Sequence, residues 1–219
     1  MKDASKLCPK CGKDVAAAIA SGAAGRPACG HSSSSSSTSP GWRTEYSDRN
    51  LASLPIGLQT LAGVEFDVRG VIRTCSQPRR DFGRRFPPVI NGLKINRKCQ
   101  YLYFLDGTGW KAPDQCPIAS YIIHYADGQQ REIVLVYGRD LLTSWIVETD
   151  RSETENQFKA RGGKLAWTES HSPTHSTPKA RLFLGTWENP RPDTLVDHLD
   201  LVSNKRVFVT PFLIAITAK

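Results

Sequence analysis

The chain has 219 residues, of which 39% are apolar, and carries a formal charge of +8. Its mean hydropathy is −0.37. No apolar run approaches the roughly 18–20 residues of a membrane-spanning helix, and roughly 180 residues remain for folding once low-complexity sequence is set aside, enough for one sizeable core without disulfides.

Residues 1–31 carry the sharpest local motif, Cys8-Pro9-Lys10-Cys11-Gly12-Lys13, followed by Cys29-Gly30-His31. Two thiolates three positions apart can grip one tetrahedral ion, and the glycine lets the backbone turn its amides towards the sulfurs. Cys29 and His31 complete a Cys3His set, so zinc is expected at Cys8, Cys11, Cys29 and His31. The first half resembles a bacterial zinc ribbon. The second half departs from that pattern, with C-x-H in place of C-x-x-C. A degenerate ribbon and a redox pair are the alternatives; a redox pair belongs at a helix N-terminus in a βαβ unit, and none is visible. The Ala-rich run Val15 to Ala20 is short for a signal peptide and follows two cysteines.

Ser32 to Gly41 is a flexible polar linker that cannot bury apolar surface. The chain therefore divides into a zinc knuckle at 1–31, a Ser-rich linker at 32–41 and a main domain at 42–219.

From Asn50 the texture changes. Leu51 to Leu58 reads as an irregular lead-in. Leu61 to Ile72 alternates with Val64, Phe66 and Val68 inward, a strand that bulges at Gly70. Val89 to Ile95 reads as a short strand or turn with an Asn91-Gly92 corner. Cys99 to Leu105 is an apolar strand, stopped by Asp106-Gly107-Thr108-Gly109-Trp110. Ile118 to Gly138 is a hairpin. Ile118, Ser120, Ile122 and His124 fall on one face, Ala119, Tyr121, Ile123 and Tyr125 on the other, and Asp127-Gly128 supplies the turn. The return strand is apolar on both faces at Ile133 to Val136, as in a sandwich core. Arg139 to Val147 is a short helix or strand carrying Trp145, and Asp150 to Gly163 is a polar loop. Lys164 to Thr168 is a strand and Ser170 to Lys179 a Ser/Thr/Pro/His loop. Ala180 to Glu188, Thr194 to Val202 and Val207 to Thr217 are strands. About eight short strands punctuated by turn signals, without a long amphipathic helix, predict an all-β sandwich with jelly-roll topology.

The charge is concentrated. Arg69 to Lys98 holds nine basic residues against Asp81 alone, so the remainder is near neutral. An anionic partner such as nucleic acid can be read here, through Arg79, Arg80, Arg84 and Arg85. The same stretch lacks strand or helix periodicity and ends in Pro87-Pro88, which favours a solvated loop. Of the six cysteines, Cys75, Cys99 and Cys116 lie in the body at no metal-like spacing and are expected as reduced, mostly buried thiols. Free thiols and a metal knuckle favour the cytoplasm, whereas a sugar-binding role favours the outside.

Several stretches of the body carry a resemblance. They are Tyr103-Phe104-Leu105 with Gly107-Thr108-Gly109-Trp110, Ile118 to Gly128, Val136-Tyr137-Gly138-Arg139-Asp140, Thr186-Trp187-Glu188-Asn189-Pro190-Arg191-Pro192, and Pro211 to Ile216. Together they resemble the galactose-binding-like jelly-roll modules of bacterial multidomain proteins, over Leu51 to Ala218. The resemblance implies a non-enzymatic accessory unit that binds a carbohydrate or docks on a protein. It does not name the ligand, because function lives in the site rather than the fold.

Aromatic rings are where a sugar site is sought, since an indole stacks on a sugar's C–H face while charged and amide groups bond its hydroxyls. Among Trp42, Trp110, Trp145, Trp167 and Trp187, Trp110 follows a Gly-rich turn and Trp187 sits at a strand end. Tyr137, Arg139 and Asp140 cluster after the hairpin, where Arg139-Asp140 also reads as a salt-bridged corner. The expected ligand-binding set is Trp110, Tyr137, Arg139, Asp140 and Trp187. His171 and His175 have an H-x-x-x-H spacing, but Pro173 between them breaks the helix that such a metal pair needs. His124, mid-strand among apolar residues, reads as a hydrogen-bonded structural group. No recognisable nucleophile, phosphate loop or paired-carboxylate setting is present. A hydrolase working through Asp140 or His124 remains a rival, as does a nucleic-acid-associated protein using the knuckle and the Arg-rich loop.

Overall fold

Alternation along one strand organises the molecule. In Pro117–Tyr125, Ala119, Tyr121, Ile123 and Tyr125 are buried while Ser120, Ile122 and His124 stay half-buried on the opposite face, the period-two pattern of a sheet with one solvated side. The computed structural model describes residues 51–75, 86–146, 153–169 and 179–219. Within them the strands are β1 (Gly57–Leu61), β2 (Val64–Val68), β3 (Ile72–Arg73), β4 (Val89–Arg97), β5 (Tyr101–Thr108), β6 (Pro117–Tyr125), β7 (Gln130–Val136), β8 (Trp145–Ile146), β9 (Lys164–Thr168), β10 (Lys179–Glu188), β11 (Val196–Ser203) and β12 (Pro211–Ala218). One short helix, α1 (Glu153–Ala160), lies between β8 and β9.

The chain is all-β, with antiparallel sheets. One sheet runs β4-β11-β6-β7; the larger runs β3-β12-β5-β10-β8, with β9 also on β10. Their facing sides share a core that includes Phe104, Tyr121, Ile123, Phe183, Leu199 and Leu213. The Phe104 and Tyr121 rings stack across it at 4.3 Å. A second apolar layer lies behind the larger sheet. There Leu105, Leu182, Phe212 and Ile214 meet Leu51, Leu54, Phe66 and Val68, so the β1–β2 hairpin covers that face. Burial of each large side chain contributes about 1.5–3 kcal/mol. The arrangement is a β-sandwich with an added hairpin layer.

In the Thr186 to Pro192 stretch, Asn189 and Arg191 are scaffold. Asn189, 2% exposed, accepts from the Tyr125 hydroxyl at 2.5 Å and donates to the Cys99 carbonyl at 2.8 Å. Arg191 pairs with Asp127 at the β6–β7 turn and lies over the Tyr125 ring. Cys75 and Cys99 are buried and Cys116 is half-buried.

Six local expectations are corrected. Ile118, expected on the face of Ser120, Ile122 and His124, is fully buried, because the β6–β7 register shifts between Pro117 and Ala119. The single strand expected over Leu61 to Ile72 is a hairpin followed by a separate short strand, because Ala62 and Gly63 turn the chain with φ of 50° and 83°, the two positive values of a type I′ turn. The Asn91-Gly92 corner is a bulge inside the nine-residue β4, with Gly92 at φ 72°. β5 runs through Asp106 to Thr108 rather than stopping at Leu105. β7 is an edge strand, and its Val134 is 37% exposed rather than apolar on both faces within a core. Residues 153–160, expected as loop, form α1, which buries Phe158 edge-on against Phe183 at 5.2 Å. The knuckle Cys8, Cys11, Cys29 and His31, the Ser-rich linker, Trp42, the basic quartet Arg79, Arg80, Arg84 and Arg85, and His171 and His175 lie outside the described residues.

Candidate binding site

Where β7 ends the smaller sheet, the two sheets part along β10 and leave a cleft of about 460 Å3. Its apolar floor includes Phe104, Tyr121, Ile133 and Leu135; its rim carries Arg139, Asp140, Arg161, Lys164, Thr186 and Trp187. An apolar floor with a few fixed polar groups at the rim is the usual constitution of a small-ligand site.

The rim groups are held by backbone features. After β7 the chain turns at Gly138, and Asp140 accepts the Val136 N–H at 2.6 Å. Arg139 donates to the Val134 carbonyl at 2.7 Å and to the Asp140 carboxylate at 2.7 and 2.9 Å. This pair therefore caps exposed groups of an edge strand, which would otherwise invite pairing with another chain. It is the salt-bridged corner that the sequence suggests, and it also presents a guanidinium and a carboxylate in fixed positions on the cleft. The Asp140 carboxylate strengthens the hold of Arg139 on its proton. Arg161, which follows α1, also lines the cleft. It donates through both terminal nitrogens to Asp114 at 3.0 Å and to the Gly138 carbonyl at 3.0 Å. That fork holds the Asp114 carboxyl below its usual range and ties the α1–β9 turn to the β5–β6 loop, while the bond to Gly138 ties it to the β7–β8 loop.

Asp106 lies behind the floor, 2% exposed, next to Gly185 of β10. A Cβ built on Gly185 would lie 3.8 Å from Asp106 Oδ2. The Tyr121 hydroxyl donates to that oxygen at 3.2 Å. Burial pushes the Asp106 carboxyl well above the ordinary carboxylate range; the Tyr121 bond opposes the shift, and the negative charge of Asp140 adds to it. Burial and the Asp106 charge raise the Tyr121 phenol as well. Asp106 does not line the cleft, so this perturbed carboxyl belongs to the core behind it.

Of the five ligand-binding residues expected from sequence, the cleft brings together Arg139, Asp140 and Trp187. Tyr137 is 4% exposed, belongs to the core, and accepts the Thr143 N–H through its hydroxyl at 3.3 Å. Trp110 lies outside the cleft lining and is tilted against Phe208 at 5.7 Å. Arg161 and Lys164 are additions to the cleft that sequence reasoning missed, and Asp106 is a buried acid behind it. In the sequence Asp106 reads as a strand terminator, although an acid directly after the apolar run Tyr101 to Leu105 is itself a signal. Among the described residues, one group of potential metal ligands occurs, His124, His198 and Asp200, far from the knuckle in sequence and on a different face from the cleft. Its signal was His198-Leu199-Asp200, two ligand types on one face of a strand.

A scan against protein-family models finds no match, and a search of curated proteins finds none. Among the described residues, no helix is long and apolar enough to cross a membrane.

Proposed function

We propose that the chain is a non-catalytic carbohydrate-binding module whose ligand sits in the cleft between β7 and β10. The observation that carries this reading is the gathering of Trp187, Arg139 and Asp140 on one cleft. Trp187, half-buried at the edge of the core, contributes its indole to the lining, and the pre-fixed Arg139–Asp140 pair offers donors and acceptors suited to vicinal hydroxyls. Side chains already locked by hydrogen bonds lose little freedom on binding, which favours affinity for a weakly held ligand such as a sugar. Arg161 is already neutralised by Asp114, so Lys164 is the group that adds positive charge at the rim and favours glycans that carry a carboxylate. The likeness to galactose-binding-like jelly rolls supports the same reading. In this proposal Cys8, Cys11, Cys29 and His31 bind zinc and form a separate small unit, and the Ser-rich linker lets it move relative to the sandwich.

Capping of β7 by Arg139 and Asp140 argues against a protein partner that adds a strand at that end of the sheet. The test is a glycan array probed with the full chain, spanning neutral galactosides and uronic-acid oligosaccharides. Binding concentrated on carboxylate-bearing glycans is the expected result. An array with no binding above background rejects the carbohydrate reading.

A further inference from the structure

On the solvent side of the smaller sheet, two histidines and a carboxylate come together through strand register. β11 lies between β4 and β6, with His198 directly opposite His124 and Asp200 opposite Ile122. Period two places His198 and Asp200 on the same face. The register shifts between Val196 and His198, so Asp197 is the extra residue of a bulge and lies beside His198. One donor atom from each of His124, His198 and Asp200 lies within 4.8 Å of the other two. His124 Nε2 is 2.9 Å from Asp200 Oδ2, and the imidazoles stack with centroids 4.2 Å apart.

We propose that His124, His198 and Asp200 bind a divalent first-row transition ion, zinc foremost. Three protein donors of this kind leave a position for water or for a donor from a partner, and two imidazoles with one carboxylate suit zinc.

The surrounding hydrogen bonds distinguish this group from a chance polar cluster. His198 Nδ1 is 2.6 Å from Asp197 Oδ2, and Lys94 Nζ donates to both Asp197 oxygens at 3.1 Å. A carboxylate accepts only, so the proton sits on Nδ1 and His198 Nε2 is left as a lone-pair donor. This is the carboxylate–histidine–metal pattern. The Gly92 N–H donates to Asp200 Oδ1 at 2.7 Å, which orients the carboxylate and leaves Oδ2 for the ion. Gly92 reaches that point because of the β4 bulge. His124 Nδ1 is 3.1 Å from Gln130 Nε2. Each proposed ligand is therefore held through the atom it does not use.

Loading requires three local changes. The ion takes the place of the proton between His124 Nε2 and Asp200, that proton moves to His124 Nδ1, and the Gln130 amide turns over so that its oxygen accepts from Nδ1–H. The rings are inclined by only 12°. Since each lone pair lies in its ring plane, one imidazole must rotate out of the stack for both Nε2 atoms to reach one ion at about 2.0–2.1 Å.

The test uses the full chain carrying Cys8→Ser, Cys11→Ser and Cys29→Ser, which removes the knuckle thiolates. Zinc chloride is titrated by calorimetry, and long-range 1H–15N spectra record the imidazole nitrogens. One equivalent of zinc is expected to bind, with the ring nitrogens of both His124 and His198 shifting. His124→Ala and His198→Ala are each expected to remove that equivalent, and Asp197→Asn to weaken it roughly 10–100-fold. Circular dichroism melts verify that each variant folds. The spectra of the histidine-intact chain read the site even where a variant does not fold. Ring nitrogens that stay put at one equivalent of zinc overturn the proposal, as does uptake that is unchanged in both folded histidine variants.

Discussion

Replacing Asp106 by Asn exchanges a titrating buried group for a neutral one of the same shape. Asp106 sits mid-β5, paired with Phe183 of β10 and Leu213 of β12, with Tyr121 donating to its carboxyl. In the unfolded chain it ionises near 3.8, whereas burial keeps it protonated to a pH well above that in the fold. Between those two values the folded state binds more protons than the unfolded one, so this group makes the protein less stable as pH rises. The slope reaches about 1.4 kcal/mol per pH unit for one full proton. Below the unfolded value both states are protonated and the group contributes no pH dependence. Asn removes the titration and keeps an acceptor for Tyr121. The two proteins should therefore differ little near pH 3.5. Above that the Asp106→Asn variant should gain by up to about 1.4 kcal/mol per unit until the folded carboxyl ionises, after which the difference is constant. The assay is urea unfolding at half-unit pH steps for both proteins, with stabilities subtracted. Titrations of distant groups such as Asp127 cancel in the difference. A difference that is flat from pH 4 to 8, or one in which the wild type gains with pH, refutes the neutral buried acid.

Gly163 abuts the Phe158 ring so closely that an added Cβ would overlap it. Gly163→Ala should displace Phe158 from its edge contact with Phe183 and cost about 1–3 kcal/mol by chemical denaturation; an unchanged midpoint contradicts the packing described for α1. Arg161→Gln should let the Asp114 pKa rise towards its ordinary value in an NMR titration. The stability from this pair is present above the unfolded pKa and lost as pH falls through the depressed folded value, so the variant should show a smaller acid-side loss. An Asp114 titration that does not move rules out the fork as its cause.

The parts of the fold legible in the sequence are those decided by local alternation. Ala119, Tyr121, Ile123 and Tyr125 face the core as their spacing requires, and the hairpin turns at Asp127-Gly128. What local pattern cannot carry is sheet order. Ile133 to Val136 looks like an interior strand, and only its position at the end of β4-β11-β6-β7 exposes Val134. Ala62 is a poor turn former, so the β1–β2 hairpin left little trace. Asn91-Gly92 uses the backbone freedom of a turn to make a bulge instead. Helix α1 offers Phe158 as its one large apolar anchor, too little for a periodic signal. The same logic applies to the sites. Arg139 and Asp140 are neighbours in the chain and were seen together, but Arg161 joins them only through α1. His124 meets His198 only through register. Asp106 becomes notable only once Tyr121 and Gly185 are placed against it.

The most direct test of the central claim is a paired calorimetric titration with the strongest uronic-acid oligosaccharide from the array. It compares the full chain with Trp187→Ala and Trp110→Ala. If the ligand lies in the cleft between β7 and β10, Trp187→Ala should weaken binding at least about tenfold, about 1.4 kcal/mol, and Trp110→Ala should leave it unchanged. Full affinity in Trp187→Ala with loss in Trp110→Ala would place the ligand elsewhere and contradict the account.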